Sequence, residues 1–152
     1  MKNNNQKTMQ YGKDYHTLHY RTEWTDTDNV VISLYRKGDP IQIGIVEVTV
    51  FKTGERSGEA YVWNLHVAED HRGHGYGRAL LSDAYDVAML AGCTRMTLEW
   101  ELRDSPQWIF DWYVREGFDE REFGRGCSFM ERAVNENVKT DQYRTTKSIN
   151  KS

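Results

Sequence analysis

With 152 residues, 38% of them hydrophobic, the chain is long enough for one domain with its own core and too short for two of ordinary size. Its formal net charge is −3, and the last nineteen residues hold four basic groups against two acidic ones, so the body is more acidic than the whole and gives no support for nucleic-acid binding. Two cysteines, Cys93 and Cys127, cannot build a disulfide framework and have no neighbours at metal-ligand spacing, which points to free thiols in a reducing compartment. The opening MKNNNQKTMQ lacks the apolar core of a signal peptide and no run of about 18 apolar residues occurs, so a cytoplasmic protein with no membrane partner is expected.

Residues 1–13 are polar, Asn-rich and aperiodic, which predicts a flexible arm or the lead-in to an edge strand. Tyr15 to Arg21 is rich in aromatic and β-favouring residues and predicts a first strand, broken by TEWTDTDN. Asn29 to Lys37 and Ile41 to Lys52 are strands by their β-branched content, joined as a hairpin by Gly38-Asp39-Pro40. In the second of these the apolar positions switch face, from Ile41, Ile43 and Ile45 to Val46, Val48 and Val50, which predicts a bulge near Gly44. TGERSGE then turns the chain into a fourth strand, Ala60 to Val67, completing an antiparallel meander.

Next comes Arg72-Gly73-His74-Gly75-Tyr76-Gly77-Arg78, three alternate glycines directly ahead of a helical pattern. Glycine lets the backbone approach a ligand closely, and the free N–H groups of a helix start favour phosphate, with the two arginines adding charge-assisted donors. The turn fits a diphosphate; the plain alternative is a surface turn leading into a helix. Leu80, Ala84, Val87, Ala88 and Ala91 recur at helical spacing, with Arg78, Ser82, Asp83 and Asp86 elsewhere on the wheel and Gly92 as the C-terminal stop. Arg95 to Leu102 alternates Met96, Leu98 and Trp100 with Thr97, Glu99 and Glu101 and predicts a fifth strand. Strand, helix, strand implies a parallel pair with a right-handed crossover, whose ligand lies at the carboxyl ends of the strands, where the glycine turn falls. Ser105-Pro106 predicts an N-cap with proline at the first helical position, then a short helix stopped by Gly117, and two closing strands, Phe118 to Phe123 and Cys127 to Val134.

The whole predicts an α/β (α+β) domain over residues 14–134: a single mixed, mostly antiparallel, twisted sheet of about seven strands with a central parallel pair, followed by a disordered polar tail over 135–152. His66, His71 and His74 do not read as a metal cluster, since helical periodicity is absent there and the neighbouring arginines repel a cation. Trp63, Trp100, Trp108 and Trp112 can wall an acceptor pocket or serve as core.

The element order, the LHVAEDHRGHGYGRALL segment with Arg72, Gly75 and Gly77 at its motif positions, and WYVREGF together resemble the GNAT superfamily of acetyl-CoA-dependent N-acetyltransferases. The resemblance implies that residues Arg72, Gly73, His74, Gly75, Tyr76, Gly77 and Arg78 bind the pyrophosphate of acetyl-CoA through backbone N–H groups. It also implies that Leu65 and Val67, with His66 between them, run beside the pantetheine arm as an added strand would. It implies transfer of an acetyl group to a primary amine, of a small molecule, a lysine or a protein N-terminus, by direct attack on the thioester. Glu101 and Tyr113, twelve residues apart, resemble the base and acid of ribosomal-protein and protein N-terminal acetyltransferases. Glu59 is a second candidate base, with Glu47 and Glu99 as rival carboxylates on neighbouring strands.

Two departures stand out. Only TEWTDTDN separates the first two predicted strands where the family usually has one or two helices, which implies an open acceptor side or one completed by a partner, a second copy of the chain included. The position where an Asn commonly contacts the cofactor falls near Pro106, leaving Ser105 as its substitute. Readings from other classes are a non-catalytic acyl-CoA-binding module and, more weakly, a dinucleotide-binding domain, although the glycines do not follow G-x-G-x-x-G.

Overall fold

The computed structural model describes residues 4–11, 15–24 and 26–134. Eight strands, β1 (Asn4–Tyr11), β2 (Tyr15–Glu23), β3 (Thr27–Arg36), β4 (Gln42–Phe51), β5 (Glu59–Val67), β6 (Arg95–Glu101), β7 (Asp119–Gly124) and β8 (Cys127–Ala133), form one sheet in the order β1-β2-β3-β4-β5-β6-β8-β7. All neighbours are antiparallel except β5 and β6, which are joined through helix α1 (Tyr76–Leu90) and run parallel. A second helix, α2 (Gln107–Arg115), connects β6 to β7. The expected tail over 135–152 lies outside the described residues, as do 1–3 and 12–14.

The extra strand comes from the segment expected as a flexible arm or the lead-in to an edge strand. Residues Asn4 to Tyr11 pair antiparallel with Tyr15 to Thr22, so the polar arm gains a full ladder of backbone hydrogen bonds that its side-chain pattern did not advertise. Among the described residues no helix lies between β2 and β3, and the Trp24 N–H donates to the Thr27 carbonyl at 2.8 Å.

The core lies on one face of the sheet. Ile32, Val46, Val48, Ala60, Met96 and Leu98 are buried there against Leu80, Leu81, Ala84 and Ala88 of α1. Trp100 extends this face and meets Phe110 of α2 edge-on with ring centroids 5.3 Å apart, while the Trp112 ring lies 3.5 Å from where a Cβ on Gly77 would stand, so α2 sits beside the start of α1. The opposite face, carrying Val31, Glu47, Thr49, Trp63, Glu99 and Glu101 by strand alternation, has no helix over it among the described residues.

Two carboxylates are buried against the sequence pattern, and one of them ties α1 down. Asp83, placed on the polar side of the helical wheel, is fully buried and hydrogen-bonds His19 of β2. Asp28 is also buried; burial opposes its ionisation, but hydrogen bonds and charge from Lys52 and Arg21 win and hold its carboxyl below the usual range. The bulge expected near Gly44 is present as a register shift that skips Ile43, and glycine is needed there because a Cβ would stand 3.0 Å from Leu80 Cδ1 and 3.2 Å from the His66 carbonyl.

Candidate active site

The parallel pair is short. Its ladder runs only from Glu59–Arg95 to Tyr61–Thr97, after which β5 and β6 part and the β6-facing edge of β5 has no strand partner. On the other side, the ladder with β4 passes from Ile45–His66 to Glu47–Trp63, leaving Asn64 and Leu65 opposite the single residue Val46. Asn64 takes φ +54°, the left-handed conformation that such a bulge accommodates and that Asn tolerates better than most residues. The bulge bends β5 away from β6 and opens a cleft of about 230 Å³, lined by residues that include Trp63, Asn64, Leu65, Glu99, Glu101, Ser105 and Tyr113. This second bulge was not anticipated, although Trp63-Asn64 interrupts the alternation of the strand and is a readable sign of it.

Glu101 and Tyr113 enter the gap from opposite faces. Glu101 closes β6 on the uncovered face and is exposed, with Glu99 two residues before it. Tyr113 comes from α2, and its position is fixed by how that helix ends. Gly117, at φ +102°, donates its N–H to the Val114 carbonyl, and Phe118 donates to Tyr113, the paired bonds of a Schellman stop. The Phe118 ring then packs edge-on against Tyr113 with centroids 6.1 Å apart. The Tyr-x-x-x-Gly-Phe spacing is thus a helix stop that also aims a phenol. Burial pushes the Tyr113 hydroxyl above its ordinary value of 10.0, so it remains a hydrogen-bond donor at neutral pH.

At the far end of the pair stands Glu59, which the structure does not bring to the cleft. It is 3% exposed and receives Arg56 at 3.0 and 2.7 Å and Thr97 Oγ1 at 2.5 Å, with Arg95 at 3.6 Å. Burial alone would raise its pKa; the hydrogen bonds from Arg56 and Thr97 and the charges of Arg56 and Arg95 outweigh it and hold the carboxyl low. Glu47 lies on β4, half-buried beside the bulge.

The glycine turn has the geometry of an anion cradle. Gly73 and Gly75 take φ +85° and +82°, with no atom within 4 Å of where a Cβ would stand. Helix α1 begins at Tyr76 with no side-chain cap on its first N–H groups, so those of Tyr76, Gly77 and Arg78 are free to meet a phosphate. The Tyr76 ring is buried and packs near Tyr15, His71 and His74. Arg72 turns back to donate from Nε to the Val67 carbonyl at 2.8 Å, and the exposed Arg78 leans 3.6 Å from Glu116. Leu65 is half-buried against the core, whereas His66 is exposed on the uncovered face.

Near α2 the reading needs correction. The helix starts at Gln107, so Pro106 and not Ser105 holds the N-cap position, and no side-chain cap bond forms. Two backbone bonds back to the Glu101 carbonyl, from Asp104 and Ser105, place Ser105 in the cleft wall instead. Of the four tryptophans weighed as pocket walls only Trp63 lines the cleft; Trp100 is core, Trp112 packs by Gly77, and Trp108 is exposed.

A half-length splayed parallel pair with an uncapped glycine-rich helix start is the arrangement of a fold that binds an extended cofactor between two strands. The chain belongs to the acetyltransferase (GNAT) family, whose profile matches residues 3–118. Among solved structures it is similar to the PaiA N-acetyltransferase of Thermoplasma acidophilum in complex with coenzyme A. That match has 18% identity and TM-score 0.59, over 71% of this chain and 61% of that one. It is also similar to the ribosomal-protein-S18-alanine N-acetyltransferase of Escherichia coli, at 22% identity and TM-score 0.58 over 76% of both chains. A third is a chimera of the Vibrio cholerae spermidine N-acetyltransferase SpeG with hSSAT, at 17% identity and TM-score 0.58 over 72% of this chain and 69% of that one. No curated protein sequence matches significantly. This chain therefore spans less than two thirds of the Thermoplasma protein's length.

Proposed function

We propose that the protein is an N-acetyltransferase that moves the acetyl group of acetyl-CoA to a primary amine by direct attack on the thioester. Support comes above all from one juxtaposition: Glu101 and Tyr113, from different elements, line the same cleft at the point where β5 has lost its strand partner. The exposed β5 edge at Leu65 to Val67 offers backbone groups to the pantetheine arm, and the turn from Arg72 to Arg78 offers N–H groups to the pyrophosphate.

An amine of pKa about 10.4 is mostly protonated at neutral pH and must lose a proton before it attacks. Glu101 takes that proton, directly or through a water. Tyr113 hydrogen-bonds the departing sulfur. A phenol is a poor proton donor to a thiolate of pKa about 8.5, so a bond that tightens as negative charge develops is the larger part of its role. Cys127, opposite Glu101 in the β6–β8 ladder, is no rival nucleophile: burial, then the charges of Glu99 and Glu101, push its thiol up and keep it protonated.

For the acceptor, the uncovered sheet face supports a cationic group with room around it. Among the described residues Glu47, Glu99 and Glu101 take part in no ion pair, and Trp63 offers a 39% exposed ring beside them. A polyamine or the end of a peptide fits that opening better than a compact amine. Two free cysteines fit a cytoplasmic setting.

The test is acetyl-CoA turnover against a panel of polyamines, lysine peptides and peptides with free N-termini, with release of the thiol and the mass of the product both followed. Transfer to at least one amine is expected. Calorimetric binding of acetyl-CoA with no transfer to any amine would overturn the reading in favour of a non-catalytic acyl-CoA-binding module.

A further inference from the structure

The cleft depends on a bulge whose key residue holds an unfavourable backbone conformation, and the groups that hold it are side chains. Asn64 is one of only two non-glycine residues with positive φ among the described residues; the other, Arg125, lies in the turn between β7 and β8. Its side-chain amide donates from Nδ2 to Glu47 Oε2 at 2.8 Å across to β4. The other carboxylate oxygen of Glu47 faces Asn29 Nδ2 at 3.4 Å, Asn29 Oδ1 accepts from Thr49 Oγ1 at 3.0 Å, and Thr49 Oγ1 accepts from Trp63 Nε1 at 3.0 Å. Both Trp63 and Asn64, consecutive residues at the bulge, are thereby tied to the same polar row on β3 and β4.

We propose that Glu47 is a positioning residue: it pins the Asn64 bulge and so keeps β5 parted from β6 at the width the acetyl-CoA cleft requires. This rests on the acetyltransferase reading of the cleft, but it concerns a residue that touches neither the cofactor turn nor the Glu101–Tyr113 pair. The physical case is one of register. Side chains alternate with period two along a strand, so a β5 that relaxed into regular pairing with β4 would turn the residues beyond Asn64 to the opposite face. Leu65 would leave the core and His66 would enter it, at the edge meant for the pantetheine arm. A carboxylate accepting from an amide is a charge-assisted bond, and no cation competes for Glu47 among the described residues.

Three variants separate this role from general-base chemistry. Glu47→Ala removes the acceptor; the Kd for CoA and the KM for acetyl-CoA are expected to rise about tenfold, the size of one lost charge-assisted hydrogen bond, with a smaller change in kcat. Glu47→Gln keeps an acceptor oxygen at the same reach, so its Kd for CoA and KM for acetyl-CoA should stay within about threefold of wild type. Adding Asn64→Gly to Glu47→Ala should restore most of the affinity, because glycine adopts positive φ without a pin. Hydrogen exchange of the amides of residues 64–67 should speed up in Glu47→Ala and slow again in the double variant.

Loss of kcat in Glu47→Gln as deep as in Glu47→Ala, with no rescue by Asn64→Gly, would overturn the proposal and make the carboxylate itself chemical. Wild-type affinity and wild-type exchange in Glu47→Ala would overturn it as well. Should Glu47→Ala fail to fold, Asn64→Gly is compared with the double variant: equal CoA affinity in the two supports the pin, and a loss in the second overturns it. If the wild-type chain neither binds CoA nor transfers acetyl, the functional reading fails while the exchange rates at residues 64–67 still decide the pin.

Discussion

At one end of the β5–β6 pair, Glu59 is enclosed by Arg56, Arg95 and Thr97; at the other, Glu101 stands exposed beside a phenol and an open cleft. Both are glutamates at strand ends, and both were legible candidates for the base. What separates them is whether the two strands are still paired. Where the ladder holds, there is no room for a ligand and a carboxylate is stable only if neutralised. Where the bulge has parted the strands, a carboxylate meets solvent and an open cleft. The difference teaches that the open cleft of this fold lies where the sheet stops being regular.

The sharpest way to break that comparison is to exchange roles. Glu101→Gln is expected to lower kcat about 10²–10³-fold at neutral pH with the fold intact, measured by thiol release under saturating acetyl-CoA. A residual activity near wild type would move the base elsewhere on the face, to Glu99 or Glu47. Next in size is Tyr113→Phe, expected to lower kcat about 10–100-fold with little change in the KM for acetyl-CoA, since the lost hydrogen bond forms as charge develops on sulfur. Unchanged turnover would take the phenol out of the reaction.

On the cofactor side, Gly75→Ala places a Cβ on a residue at φ +82°, at a cost of about 1–2 kcal/mol if the turn is kept. An increase of roughly tenfold in the KM for acetyl-CoA is expected, and kcat should hold within about threefold. Glu59→Gln should behave in the opposite manner, costing about 1–3 kcal/mol of stability and leaving kcat within about twofold. Its pH signature is also distinct. Because Glu59 is held below its ordinary 4.5, it contributes stability above that value and loses it as pH falls through the lower folded value. The melting temperature of the wild type should therefore drop more steeply on acidification below about pH 4.5 than that of Glu59→Gln. The smallest effect is expected for Cys127→Ala, whose turnover should match wild type if no acyl-thioester forms on the enzyme.

Much of this was written in local pattern. Alternation marked β3, β4, β5 and β6; the glycine turn and the helical spacing of Leu80, Ala84 and Ala88 marked α1 and its start. Gly44 marked its own bulge because a strand pattern that changes face has to skip a residue. Tyr113 was found through Gly117 and Phe118, since a helix stop is encoded within six consecutive residues. In each case the determining interactions lie close in sequence, or depend on which residues are apolar and at what period.

Contacts across the fold were decided elsewhere. Polar residues 4–11 form a strand because β2 offers them an unpaired edge, a fact outside their own composition. Asp83 looked like a solvated helix residue until His19, from the far side of the meander, was brought to it. The sequence by itself marked a glycine-rich turn at a helix start, a parallel pair behind it and a short list of carboxylates. Only the tertiary structure assigned those carboxylates their places, enclosing Glu59 with arginines, leaving Glu101 at the open cleft and setting Glu47 against Asn64. The physical reason is that the ionisation and reach of a carboxylate depend on which charges, donors and solvent surround it, and those neighbours come from strands up to several dozen residues away in the chain.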